Sequence, residues 1–115
     1  MISRMDLIKK ILDLKESDKS IDILIHFFLH GKGKNKIYYN HLEDFSELKR
    51  ISNKKIPNYT NNIEYLKDFI NIKGYNLMTI KNEAYLYKDN DYIKPILIYD
   101  SKRIENSLSA LAISI

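Results

Sequence analysis

The chain has 115 residues, 44% of them apolar and 30% charged, with a net charge of +4 and no cysteine. That length and mixture fit one globular domain, read as residues 1–115, and no stretch approaches the roughly 20 apolar residues of a membrane span. Without thiols there is no disulfide framework, no thiolate nucleophile and no cysteine-based zinc site. The opening Met1-Ile-Ser-Arg-Met-Asp6 lacks the basic region and apolar run of a signal peptide, so a cytoplasmic location is expected.

In chain order, Asp6 to Glu16 reads as a helix with Met5, Ile8, Ile11 and Leu12 on one stripe. Asp18 or Ser20 caps a second helix, Ile21 to His30, which is apolar almost all round, predicted to be largely buried, and stopped by Gly31. Gly31 to Lys36 has loop composition, and Ile37-Tyr-Tyr39 reads as a short strand. His41 to Lys55 gives a weak pattern compatible with a helical turn or irregular chain. Pro57-Asn-Tyr-Thr-Asn-Asn62 is expected to open a third helix, with Thr60 or Asn61 as cap and Glu64 closing a capping box. Its stripe is Tyr65, Leu66, Phe69 and Ile70, and Gly74 ends it.

Three strands follow: Tyr75 to Lys81, Ala84 to Tyr87 and Ile93 to Tyr99, with turns at Asn82-Glu83 and Asp89 to Asp91. They make an antiparallel meander in which Pro95 marks an edge. The last segment, Ile104 to Ile115, is expected to be an amphipathic helix through Leu108, Leu111, Ala112 and Ile115. The predicted fold is α+β, with helices packed on both faces of a small antiparallel sheet.

The polar residues favour binding over catalysis. No catalytic triad exists, and Gly31-Lys-Gly33-Lys-Asn-Lys36 has neither phosphate-loop nor dinucleotide spacing. His26 and His30, one helical turn apart, share a face that a metal would need, with His41 as a conceivable third ligand; their apolar setting reads as packing, and no metal or cofactor is expected. Between Gly31 and Pro57, Lys32, Lys34, Lys36, Lys49, Arg50, Lys54 and Lys55 outweigh Glu43, Asp44 and Glu47, which accounts for the whole net charge. This excess reads first as a solvated lysine-rich loop, and alternatively as steering for an anion. Tyrosine is over-represented, nine residues against four Phe and no Trp. Half-buried strand positions explain much of this, yet the rings also suit stacking on bases.

Three landmarks resemble a known family: Asp22-Ile-Leu24-Ile25-His26-Phe-Phe-Leu29-His30-Gly31, Pro57-Asn-Tyr59-Thr60-Asn-Asn-Ile63 and Ser107-Leu-Ser-Ala-Leu111-Ala112-Ile113. In order and spacing they are similar to the phage ABA sandwich domain, a group of small bacteriophage proteins without an established activity. The resemblance implies an α-β-α sandwich of phage or prophage origin. With it, the leading expectation is an accessory or counter-defence protein that sequesters an anionic nucleotide-like signal molecule without catalysis. The candidate binding residues are Tyr59, Thr60 and Asn61, at a capped helix N-terminus whose free amides would receive a phosphate, with Arg50, Lys54 and Lys55 nearby in sequence. The alternatives are a host-protein inhibitor or oligomeric module using apolar helix surfaces, the C-terminal helix above all, and nonspecific nucleic-acid binding. Homo-oligomerisation is expected, because small domains often build sites between subunits.

Overall fold

A computed structural model describes residues 3–30, 56–88 and 93–115. Its elements are α1 (Arg4–Leu12), α2 (Lys19–His30), α3 (Glu64–Ile72), β1 (Tyr75–Ile80), β2 (Glu83–Lys88), β3 (Leu97–Asp100) and α4 (Ile104–Ser114). The expected strand at Ile37 to Tyr39, the loop before it, the segment His41 to Lys55 and the turn at Asp89 to Asp91 lie outside the described residues.

Ser3 caps α1, its Oγ accepting the Asp6 amide at 3.1 Å. The buried stripe of α1 is Leu7, Ile8 and Ile11; Met5, expected there, faces solvent, and Leu7 takes its place. For α2 the expected Asp18 cap is present: its Oδ1 accepts the amides of Ser20 at 2.9 Å and Ile21 at 3.3 Å. Five successive residues, Ile21 to Ile25, are buried, as an all-round apolar helix requires.

The segment before α3 departs from expectation. Tyr59 donates its amide to Pro57 O, and Asn61 and Asn62 both donate to Asn58 O, so residues 57–63 form tight turns, not helix. The helix starts at Glu64, whose amide donates to Asn62 Oδ1 at 3.0 Å, and neither Thr60 nor Asn61 caps it. Thr60 is drawn away by tertiary partners described below, which outcompete local capping. Gly74, with φ +89°, ends the helical stretch as expected.

The strands form an antiparallel sheet in the order β1-β2-β3, with Leu77 opposite Leu86 and Leu86 opposite Leu97. This is the expected meander, with two adjustments. The first turn is Lys81-Asn82, where Lys81 adopts φ 55°. The third strand begins at Leu97, since Pro95 has no amide to give and the first bond to β2 comes from Ile96 N to Leu86 O at 2.7 Å. As Pro95 suggested, β3 is an edge strand.

Helices α3 and α4 pack on the sheet face that carries Ala84 and Leu86, giving the α+β class expected; the described residues place no helix on the other face, where Met78, Ile80 and Ile98 are exposed. Ala84 and Leu86 are fully buried against Leu66, Ile70, Leu108 and Leu111. Helix α4 touches α1, α2, α3, β2 and β3, and everything from Asn106 to Ile113 is buried. It is therefore a central helix, not the amphipathic one expected. Alanine and serine are small enough for neighbours to approach closely on all sides, and polar residues in α4 find partners inside. Ser107 Oγ donates to Asn82 O at 2.6 Å, and Asn106 Nδ2 donates to Leu14 O at 2.8 Å.

Among the described residues Ser109 is the exception, a buried hydroxyl that meets no hydrogen-bond partner. A stranded hydroxyl costs about 1–3 kcal/mol of desolvation, and alanine is the better helix former. Ser109→Ala is expected to raise stability by about 1 kcal/mol, read from denaturant unfolding. A loss of stability would show that the hydroxyl serves the fold in some other way.

Candidate functional site

Helix α2 and the 57–63 turns meet through a buried carboxylate. Thr60 donates both its amide, at 2.7 Å, and its hydroxyl, at 2.8 Å, to Asp22 Oδ1, and the same hydroxyl accepts the Asp18 amide at 2.8 Å. Burial pushes the Asp22 carboxyl above the ordinary 3.8; the Thr60 hydrogen bonds and Lys19 oppose this, and Asp18 adds to it. Lys19 Nζ also donates to Ile56 O at 3.1 Å. From the other side Arg103 donates to Thr60 O at 2.8 Å while pairing with Glu105 at 2.9 Å. The turn is thus bound to α2 and to the start of α4.

Fixing Thr60 fixes Tyr59. The Tyr59 ring is 2% exposed, and its hydroxyl lies 2.9 Å from His26 Nδ1, one turn along α2 from Asp22. Burial, with the Asp22 and Tyr65 charges adding, pushes the Tyr59 phenol up to about 12, so it stays neutral at physiological pH. Its ring centroid is 6.0 Å from that of His26 and 6.3 Å from that of Tyr65, the latter pair edge-on at 69°. These residues line a concavity of about 250 Å³ with Pro57, Asp68, Phe69 and Ile72. Tyr65 is 50% exposed and Lys73 Nζ lies 5.4 Å from the Phe69 ring centre, so the mouth joins accessible aromatic surface to a nearby cation.

A second concavity, about 380 Å³, lies at the β1-β2 turn beside Lys81, Asn82, Glu83 and Asp100. There Tyr85 donates its hydroxyl to Glu83, and Asn82 Nδ2 donates to Lys102 O at 3.0 Å, so its polar groups serve the turn.

Of the six predicted binding residues, Tyr59 lines the first concavity, Thr60 is buried behind it and Asn61 is exposed beside it. Arg50, Lys54 and Lys55 lie outside the described residues. The proposed phosphate cradle of free amides is corrected. The amides of Tyr59, Thr60, Asn61, Asn62 and Glu64 all donate within the chain, so none of these is free for a ligand. His26, considered as a metal ligand, instead meets Tyr59, and among the described residues no three His, Asp or Glu side chains gather as a metal set. Asp22 and Arg103 were not singled out as site residues. Asp22 carried a usable signal: a carboxylate between Ile21 and Ile23 on a buried helix demands a partner.

Comparison with known proteins gives no matching family model, no matching curated relative and no matching solved structure. Among the described residues, no helix is long and apolar enough to cross a membrane.

Proposed function

We propose that the chain is a non-catalytic binding domain that takes a planar, anionic, nucleotide-like ligand at the concavity between α2, the 57–63 turns and α3. The observation that carries this reading is the convergence of His26, Tyr59, Tyr65 and Phe69 on one opening whose buried wall, Tyr59, is held in place by the hydrogen bond between its hydroxyl and His26 and by those of the adjoining Thr60. A base slides over such rings at a cost in ordering that is small, because the protein surface is already fixed. Charge on the ligand is met by side chains, since the amides of Tyr59, Thr60, Asn61, Asn62 and Glu64 are committed internally. Arg50, Lys54 and Lys55, which precede Pro57 in the sequence, are the candidates for it. The sequence resemblance to the phage ABA sandwich domain supports reading the chain as a phage-encoded accessory or counter-defence protein that sequesters a host signal nucleotide in the cytoplasm.

The test is thermal unfolding against a panel of cyclic and linear nucleotides. A ligand that binds only the folded chain adds about 2.7 kcal/mol of stability at about 100 times its Kd. A selective rise in Tm for one nucleotide is expected, and Tyr65→Ala, a half-exposed position, is expected to remove it while leaving the ligand-free Tm nearly unchanged. No shift with any nucleotide at saturating concentrations sinks the reading. A shift with any polyanion that vanishes as salt is raised would indicate nonspecific nucleic-acid binding instead.

A further inference from the structure

The two edges of the sheet are built differently. The β3 edge is four residues long, follows Pro95 and ends in Asp100, features that discourage another strand from adding to it. The β1 edge is six residues, Tyr75-Asn-Leu-Met-Thr-Ile80, with no charge, proline or glycine. Among the described residues no backbone group pairs with its outer side.

The register shows which groups point outward. Ile80 and Glu83 flank the two-residue turn and so form a hydrogen-bonded pair, as do Met78 with Tyr85 in alternation. The amides and carbonyls of Tyr75, Leu77 and Thr79 therefore face away from β2. On the sheet face opposite the packed helices, Met78, Ile80 and Ile98 are 39%, 49% and 53% exposed, and Met78, Tyr85 and Ile98 stand in one cross-strand row.

We infer that β1 is a homodimer edge, pairing antiparallel with β1 of a second copy about a two-fold axis at Met78. A neutral strand meets its own copy without like charges in the ladder, which is why a second copy is the occupant. Charge at the ends selects the register. Centring the pair on Leu77 would set Lys81 opposite Lys73 of the other copy, whereas centring it on Met78 sets Lys81 opposite Tyr75. In that register Leu77 and Thr79 exchange backbone hydrogen bonds with their counterparts. The two Met78 side chains meet as a close non-hydrogen-bonded pair, and the apolar row runs unbroken from Ile98 of one copy to Ile98 of the other. The result is one six-stranded antiparallel sheet.

Sedimentation of the purified chain over a concentration series tests the dimer, and the absence of native cysteine makes the register testable by cross-linking. The wild-type chain is expected to dimerise, and Met78→Lys, which sets two cations face to face at exposed positions, is expected to weaken self-association by more than about tenfold while leaving Tm unchanged at concentrations too dilute for the dimer. Met78→Cys is expected to form a disulfide-linked dimer under mild oxidation, because the Cα atoms of a non-hydrogen-bonded antiparallel pair stand about 4.5 Å apart, within disulfide reach, and Ile98→Cys, equally exposed on the other edge, is not. A wild-type chain that stays monomeric throughout, or a dimer that Met78→Lys leaves intact, overturns the inference. Cross-linking of Ile98→Cys as readily as Met78→Cys overturns it as well.

Discussion

Asp22→Ala is expected to destabilise the chain by about 1–3 kcal/mol at neutral pH, the cost of leaving buried hydrogen-bond donors without an acceptor. Both donors of Thr60 end on the one oxygen Asp22 Oδ1, so a single truncation strands the Thr60 amide and hydroxyl together. Asp22→Asn keeps an oxygen in that place and is expected to cost much less. It also separates shape from charge. The folded-state pKa of Asp22 is raised above 3.8, so between those two values the folded chain holds a proton that the unfolded chain has released. Stability from this group is therefore present at acid pH and declines as pH rises through the window above 3.8, up to the raised folded value. Urea unfolding as a function of pH should show that decline in the wild type and its absence in Asp22→Asn. A wild type whose stability gains from this group across the same window would contradict the assignment.

Leu111→Ala is expected to lose about 2–5 kcal/mol, the range for emptying a leucine site in a core that cannot collapse to fill it. Leu111 is fully buried in α4, the helix that contacts all the other described helices and two of the strands. Relaxation is restricted because the helix is held at both ends. Arg103 and Asn106 anchor its start to Thr60 O and Leu14 O, and Ser114 Oγ near its end lies 3.0 Å from the Tyr99 hydroxyl. Denaturant unfolding should show the loss with an unchanged m-value. A loss below about 1 kcal/mol would mean that the surrounding elements repack and that α4 is not the rigid centre described here.

These two residues also mark where sequence reasoning reached and where it stopped. Local signals carried the elements well: the Asp18 cap and apolar run of α2, the glycine that ends α3, and the alternation that makes β1 to β3 a meander. They failed where the deciding partner is distant. Thr60 reads as a helix cap because its type and spacing fit, but a carboxylate 38 positions earlier claims both of its donors, and the helix starts four residues later. Helix α4 reads as amphipathic from the spacing of Leu108, Leu111, Ala112 and Ile115. Ser107 and Asn106 face inward because Asn82 O and Leu14 O await them, and neither acceptor leaves a mark in the local pattern. Tyr59 entered as a candidate from its place at an expected helix N-terminus. Its neighbours His26 and Phe69 come from two separate helices, and only tertiary packing joins them.

The binding reading is tested most directly by following the backbone amide resonances of the chain while titrating the nucleotide that gives the largest thermal shift. Saturable shifts concentrated at His26, Tyr59, Tyr65 and Phe69, and lost in Tyr65→Ala, are the predicted result. Shifts confined to other surfaces, or none at saturating nucleotide, would contradict the assignment of this concavity as the ligand site.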